Sequence, residues 1–247
     1  EEEQLELYYQ PQIDLNTKKV IGAEALVRWN HPEKGLLLPA DFIPLAEEMG
    51  LIIPMGKLIF KLAAKQINFW SQHGILDIKI AVNLSVKQIH YCDFIDMLEN
   101  TILELDSGVD ILELEIPEMA MLEGSQNNND VFEQLRKKGI SLVVDNFGTG
   151  FSSMLNLKQI SAEYLKIDRL FIKNVVNDAV DAKIFKSIIE LAHTLNMKVI
   201  AEGVETSGQL SYLLNNGCDV AQGFIYSHPI PADEFIDWLI QYQDEAR

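Results

Sequence analysis

Apolar, β-branched runs alternate with amphipathic helical patterns along almost the whole 247-residue chain, and no other feature limits its fold as strongly. Strands are expected at residues 5–9, 20–29, 79–84, 111–116, 141–145, 164–167, 198–201 and 219–222. Helices are expected at 39–49, 57–73, 93–104, 128–138, 181–196, 207–215 and 231–242. Gly139 and Gly217 fall just past two of these helices, where a left-handed residue caps the end. Alternation with short connections predicts a mostly parallel sheet with helices outside it, an α/β fold. About eight strands in this length favour closure into a modified (β/α)8 TIM-type barrel over an open sheet. The opening is irregular, because the first two strands are joined by "QPQIDLNTKK", in which "NTKK" reads as a turn. Those two strands are therefore expected to be antiparallel. With no repeat, low-complexity segment or long linker, residues 1–247 read as one domain, and the opening Glu-Glu-Glu suggests a piece of a longer protein.

Charge and hydropathy narrow the function. Hydrophobic residues make up 48% of the chain, ample for a large core. Twenty basic against thirty-seven acidic residues give a formal charge of −17. Such a surface repels nucleic acid polymers and anionic membranes. A small anionic substrate would need local cations, either metal or Arg and Lys. No apolar run approaches the roughly 18 to 20 residues of a membrane span. The two cysteines, Cys92 and Cys218, lie far apart without metal-type spacing and read as reduced thiols of a cytoplasmic protein.

The ends of the expected strands carry polar residues that packing does not require. "GAEALVRW" holds Glu24, "AVNLS" holds Asn83, "LELEIPE" holds Glu115 and "LVVD" ends on Asp145. "EYLKID" carries Lys166 and Asp168, "VIAEGVE" carries Glu202 and Glu205, and "VAQGF" carries Gln222. In an αβ barrel the carboxyl ends of the strands meet on one face. Ionised carboxylates gathered there need a cation between them, and oxygen donors suit Mg²⁺, Mn²⁺ or Ca²⁺ better than Zn²⁺. Singly, each residue has an ordinary reading: Glu115 could face solvent beside Glu113 and Glu118, and Lys166 could reach water. Jointly, at the ends of successive strands, they point to a site. Lys166 would then be a cation that positions an attacking water or stabilises phosphoryl charge. The Gly-Thr-Gly after Asn146 reads as a loop that carries Asp145 into place.

In these motifs, and in "YYQPQIDL", "VNLSVKQ", "DNFGTGFSS", "YLKIDRLFI", "AEGVET" and "GCDVAQGF", the chain resembles the EAL-domain family of cyclic di-GMP phosphodiesterases over essentially its full length. The signature itself is Glu24-Ala25-Leu26. The resemblance implies a barrel with an antiparallel strand near the start. It also implies hydrolysis of cyclic di-GMP to linear pGpG with Mg²⁺ or Mn²⁺, and inhibition by Ca²⁺. By the same resemblance Glu24, Asn83, Glu115 and Asp145 would hold a first metal firmly, and Asn146 would help to hold a second more weakly. Glu202 would serve that second metal or the water, Lys166 would orient the water, and Glu205 would sit beside Lys166. Gln10, Leu26, Arg28 and Gln222 match positions that line the dinucleotide site, and Glu118 and Asp168 would support the loop. Implied partners are a second copy in a homodimer and an upstream sensory or GGDEF-type domain in the parent protein.

Two positions depart from the family pattern. Its usual Asp-Asp is Asp145-Asn146, and its usual Glu-Ile-Thr-Glu is Glu115-Ile116-Pro117-Glu118. Asn146 offers an amide oxygen without charge, and Pro117 removes a backbone donor near the loop. Three readings follow: an active phosphodiesterase, a cyclic di-GMP receptor with little turnover, and a metal-dependent barrel enzyme acting on another phosphate ester. The enzyme is favoured because Glu24, Asn83, Glu115, Asp145, Lys166, Glu202 and Glu205 are all kept, and catalysis needs ligands that binding alone does not.

Overall fold

The computed structural model describes residues 4–75, 78–106, 108–121, 125–148 and 154–245. Its strands are β1 (Leu5–Asp14), β2 (Val20–His31), β3 (Gly35–Leu37), β4 (Lys79–Asn83), β5 (Leu112–Pro117), β6 (Ser141–Phe147), β7 (Tyr164–Ile167), β8 (Lys198–Glu202), β9 (Val220–Gln222) and β10 (Ile230–Pro231). They form one sheet in the order β10-β1-β9-β8-β7-β6-β5-β4-β2-β3, and β1 pairs with β2 as well. That extra pairing closes β1, β2, β4, β5, β6, β7, β8 and β9 into an eight-stranded barrel. β1 is antiparallel to both ring neighbours, and the other ring pairings are parallel. The expected TIM-type barrel and its antiparallel start are both present.

The helices are α1 (Pro39–Glu48), α2 (Ile52–Gln72), α3 (Val86–Ile89), α4 (Phe94–Leu103), α5 (Ser125–Lys137), α6 (Met154–Ile160), α7 (Arg169–Ile172), α8 (Ala179–Thr194), α9 (Ser207–Asn215) and α10 (Ala232–Glu245). Short 3₁₀ turns, Val109–Ile111 and Glu118–Met121, flank β5. Local chemistry sets several starts. Asp178 accepts from the Val180 and Asp181 N–H groups ahead of α8, and Thr206 with Gln209 forms a capping box ahead of α9. No helix among the described residues is long and apolar enough to cross a membrane.

Two elements begin or end elsewhere than the sequence pattern indicates. β1 continues through Pro11 to Asp14, because on its far side it pairs only at Tyr8, Tyr9, Ile13 and Asp14. A residue without an N–H falls in the gap of that ladder. α2 begins at Ile52, ahead of Pro54 and Gly56, rather than at residue 57. Pro is tolerated in a first turn, where its N–H would have no helical acceptor. Gly56 is set against the side chain of Gln88, whose Nε2 would lie 2.0 Å from an added Cβ.

The barrel interior is layered, since alternate strand residues point inward. At the amino ends of the strands, Lys79 Nζ lies 2.9 Å from Glu163 Oε2 and 3.4 Å from Glu113 Oε2, with the Ser141 hydroxyl between the two carboxylates. Burial pushes the Glu113 carboxyl above its usual range. Above this polar floor Val143, Ile200 and Val220 form a small apolar layer inside the barrel. The large hydrophobic core lies outside, between strands and helices, and includes Phe60, Trp70, Leu114, Leu165 and Phe235. With an apolar plug below it, a polar cluster at the carboxyl ends faces one opening only.

Candidate active site

Lys166 stands at the centre of that cluster with 1% of its surface exposed, so it does not reach out to water. Its Nζ lies 2.7 Å from Glu24 Oε2, 2.7 Å from Glu115 Oε2 and 3.8 Å from Asp145 Oδ1. Glu24 is held on its other side: its Oε1 accepts from Asn83 Nδ2 at 2.7 Å, and its Oε2 accepts from Gln222 Nε2 at 2.5 Å. Five strands thus supply one hydrogen-bonded group, and Asp145 and Glu202 arrive from two more.

Charge in this group is shared unequally. Burial pulls the Lys166 ammonium toward neutrality, but Glu115, Glu24, Asp145 and Glu202 outweigh it and hold the pKa well above the usual value. Burial would raise Glu24, yet the charge of Lys166 and donors from Lys166, Asn83 and Gln222 bring it below the carboxylate range. Glu115 goes the other way, pushed well up by burial and by the Glu24 charge. Asp145 is raised by burial. At Glu202 the pull of Lys166 is overcome by burial and by Glu24, Asp145 and Asp168, leaving a pKa of about 7.

A break in register explains how the adjacent Asp145 and Asn146 both serve this end of the barrel. β6 and β7 pair Val144 with Leu165 and then Phe147 with Ile167, so β6 carries one extra residue opposite Lys166. In an unbroken strand neighbouring side chains point to opposite faces; a bulge re-aims one of them. Asn146 takes the left-handed conformation at φ +56°, which Asn and Asp tolerate better than other side chains. Its Nδ2 donates to Asp145 Oδ2 at 2.6 Å.

The end of β6 is tied back to the turn after β5. The Gly148 N–H donates to Glu118 Oε2 at 2.9 Å, and the Phe171 ring lies 2.6 Å from where a Cβ on Gly148 would stand. Glu118 is buried and Pro117 ends β5 opposite Asp145, so the ladder there accommodates the proline. Asp168 caps α7 by accepting from the Leu170 N–H at 2.7 Å. Thr149 and Gly150 of the Gly-Thr-Gly lie outside the described residues.

Glu24, Asn83, Asp145, Asn146, Lys166 and Glu202 form one wall of a cavity of about 580 Å³. Apolar side chains line it as well, among them Leu26 of β2, Ile43 and Pro44 of α1, and Met119 after β5. A larger groove of about 800 Å³ between α1, α2 and α4 contains none of the clustered carboxylates.

Four expected site residues, Gln222, Gln10, Arg28 and Glu205, are not among the residues that line the smaller cavity. Gln222 is wholly buried, and its Nε2 donates to Glu24 Oε2 at 2.5 Å. Gln10 is buried too, with its amide nitrogen donating to the Ser227 carbonyl at 3.1 Å. Arg28 is buried: its guanidinium donates to the Val27 carbonyl at 2.9 Å and lies 5.2 Å over the Tyr8 ring. Glu205 is exposed in the turn entering α9, where its N–H donates to Gln209 Oε1, and the ion pairs of Lys166 go to Glu24, Glu115 and Asp145 instead. Sequence reading missed Gln12, buried two residues beyond Gln10 on β1. Period-2 spacing would have found it had the strand been carried past Pro11.

The donor set fits a hard divalent cation. Glu115 Oε1 and Asp145 Oδ1 are buried oxygens without a hydrogen-bond partner, and the neighbouring donors are oxygens as well. As placed, no group of three or more His, Cys, Asp or Glu among the described residues is arranged to hold an ion. The ammonium of Lys166 stands among the carboxylates that would hold one.

The family model described as the EAL domain matches residues 1–229. The chain belongs to the EAL domain family. Among curated relatives, this EAL domain is 40% identical over 236 residues to the bifunctional diguanylate cyclase/cyclic di-GMP phosphodiesterase MucR of Pseudomonas aeruginosa, a match covering 96% of this chain and 34% of the relative. It is 34% identical over 246 residues to the cyclic di-GMP phosphodiesterase PdeR of Escherichia coli, covering 100% of this chain and 37% of that one. The chain therefore spans about a third of the length of the curated relatives it matches. A solved structure described as the PaMucR phosphodiesterase in a c-di-GMP complex superposes with a TM-score of 0.91 at 40% identity, covering 94% of each chain.

Proposed function

We propose that this EAL domain hydrolyses cyclic di-GMP to linear pGpG with Mg²⁺ or Mn²⁺. The observation that carries the reading is the convergence of Glu24, Asn83, Glu115, Asp145, Lys166 and Glu202 beside a cavity also lined by apolar side chains. The relatives named as cyclic di-GMP phosphodiesterases and the superposable complex supply the substrate.

Glu24, Asn83, Glu115 and Asp145 would hold one ion, with Asn146 contributing a neutral oxygen to a second, weaker site. Bound ions polarise phosphate oxygens and lower the pKa of a bound water. The Asn83 amide nitrogen is engaged by Glu24, which leaves its oxygen as the free donor atom. Glu202, with a pKa of about 7, is suited to take a proton from the attacking water near neutral pH. Lys166 supplies fixed positive charge at a site with 1% exposure, where an attacking water or phosphoryl oxygen can be oriented without solvent competition. Leu26, Ile43, Pro44 and Met119 give the guanine bases an apolar surface to pack on. Water adds across one phosphodiester bond, leaving a 5′ phosphate and a free ribose 3′ hydroxyl.

The test is a turnover assay. Purified protein with Mg²⁺ or Mn²⁺ is expected to convert cyclic di-GMP to pGpG, resolved by chromatography, and Ca²⁺ is expected to suppress the product. Tight binding without product at high enzyme and Mn²⁺ concentrations would replace the phosphodiesterase with a receptor.

A further inference from the structure

Three glutamines, Gln10, Gln12 and Gln222, are buried at one side of the barrel interior, two from β1 and one from β9. Burying a carboxamide without partners is costly, so the bonds of this group carry information. Gln222 has 0% exposure, and its polar atoms are engaged inside the barrel. Its Nε2 donates to Glu24 Oε2 at 2.5 Å and to Gln10 Oε1 at 3.0 Å, while its Oε1 accepts from Gln12 Nε2 at 3.1 Å. Donation from Gln12 selects one orientation of the Gln222 carboxamide. The reverse orientation would set two oxygens against each other at Glu24.

Gly22 supports the same reading independently. It pairs with Gln12 across the β1–β2 ladder, and a Cβ there would lie 2.7 Å from Gln12 Oε1. Glycine weakens a strand interior, yet here it leaves the space that the Gln12 carboxamide fills. A continuous chain of contacts runs from Gly22 through Gln12 and Gln222 to Glu24, and from Glu24 to Lys166.

We propose that Gln222, held in orientation by Gln12, is a positioning residue for the carboxylate of Glu24 rather than a contact to the dinucleotide. The proposal rests on the phosphodiesterase reading for its kinetic arm only. Partners that hold a metal-binding carboxylate in place typically matter about ten- to a hundredfold in metal affinity or activity.

The experiment compares wild type with Gln222→Met and Gln12→Met, which keep side-chain length and remove the amide. Mn²⁺ affinity is read directly by paramagnetic resonance of free Mn²⁺, kcat and KM are read with cyclic di-GMP, and melting temperature controls for folding. For Gln222→Met the expected result is weaker Mn²⁺ binding and lower kcat, each by about tenfold or more, with KM within about twofold. Gln12→Met is expected to shift the same two quantities in the same direction by less. A raised KM with unchanged kcat and Mn²⁺ affinity would overturn the proposal in favour of a substrate contact, and unchanged values throughout would overturn it outright. Should Gln222→Met fail to fold, Gln12→Met decides by the same criteria. Should wild type show no turnover, the phosphodiesterase reading fails by itself and Mn²⁺ affinity still decides the role of Gln222.

Discussion

Asn146→Asp restores the second carboxylate of the family pattern, and its effect should invert with the presence of a divalent cation. In this chain Asn146 Nδ2 donates to Asp145 Oδ2 at 2.6 Å. The substitution removes a bond to a charged acceptor, a loss of about 1.5–3 kcal/mol. It also sets two carboxylates side by side; at about 4 Å and an effective dielectric of about 20 they repel by about 4 kcal/mol. Asn146 is half-buried at the cavity wall, so solvent and partial protonation remove much of that repulsion. A net loss of about 2–4 kcal/mol in EDTA remains, a melting temperature lower by about 4–16 °C for a chain of this size. Saturating Mn²⁺ replaces the lost donor with a cation, so the variant should gain more from the ion than wild type does. Turnover should need less Mn²⁺. The assay is thermal unfolding at pH 8 in EDTA and in a Mn²⁺ series, alongside product formation. An Asn146→Asp protein that melts at or above wild type in EDTA would refute this account of the Asp145–Asn146 contact.

Lys166→Met takes away the ammonium that Glu24 and Glu115 share at 2.7 Å each, so stability in EDTA should fall by about 3–5 kcal/mol. Mn²⁺ should then bind more tightly, because no internal cation competes for those oxygens; equal or weaker binding in a calorimetric titration would count against it. The acid–base behaviour of Glu202 gives a second check. Its folded pKa of about 7 lies above the ordinary carboxylate value of 4.5, so the folded protein holds the proton longer than the unfolded chain. Its contribution to stability is greatest below pH 4.5, declines as pH rises toward 7 and is level above. Urea unfolding in EDTA should therefore show wild type losing ground to Glu202→Gln between pH 5 and 7, and a pH-independent difference would mean that Glu202 titrates normally.

How much of the site could be read beforehand depended on how each residue signals itself. Glu24 and Lys166 stand in apolar strands, and a charge there is conspicuous whatever the fold. Glu115 was ambiguous beside Glu113 until the barrel closed, when both turned inward at different depths, one to the floor and one to the site. Gln12 and the far half of β1 were hidden because Pro11 reads locally as a strand end, whereas the gap between its pairings with β10 and β9 makes the proline harmless. Ile43, Pro44 and Met119 carry no chemical signature at all; they became a wall only when α1 and the turn after β5 folded over the barrel mouth.

The sequence by itself determined the strand–helix alternation, the barrel with its antiparallel start, and the set of oxygen-bearing side chains at successive strand ends. These follow from periodicity and from the cost of placing charge among apolar residues, both of which are local. Tertiary structure alone decided which of those side chains pair. Lys166 stands between Glu24 and Glu115, Asn146 bonds Asp145 across a bulge, and Gln222 bonds Glu24 while Arg28 bonds the Val27 carbonyl and Glu205 lies ahead of α9. Such pairings depend on the relative register of strands far apart in the chain, and a one-residue slip would send each side chain to the other face.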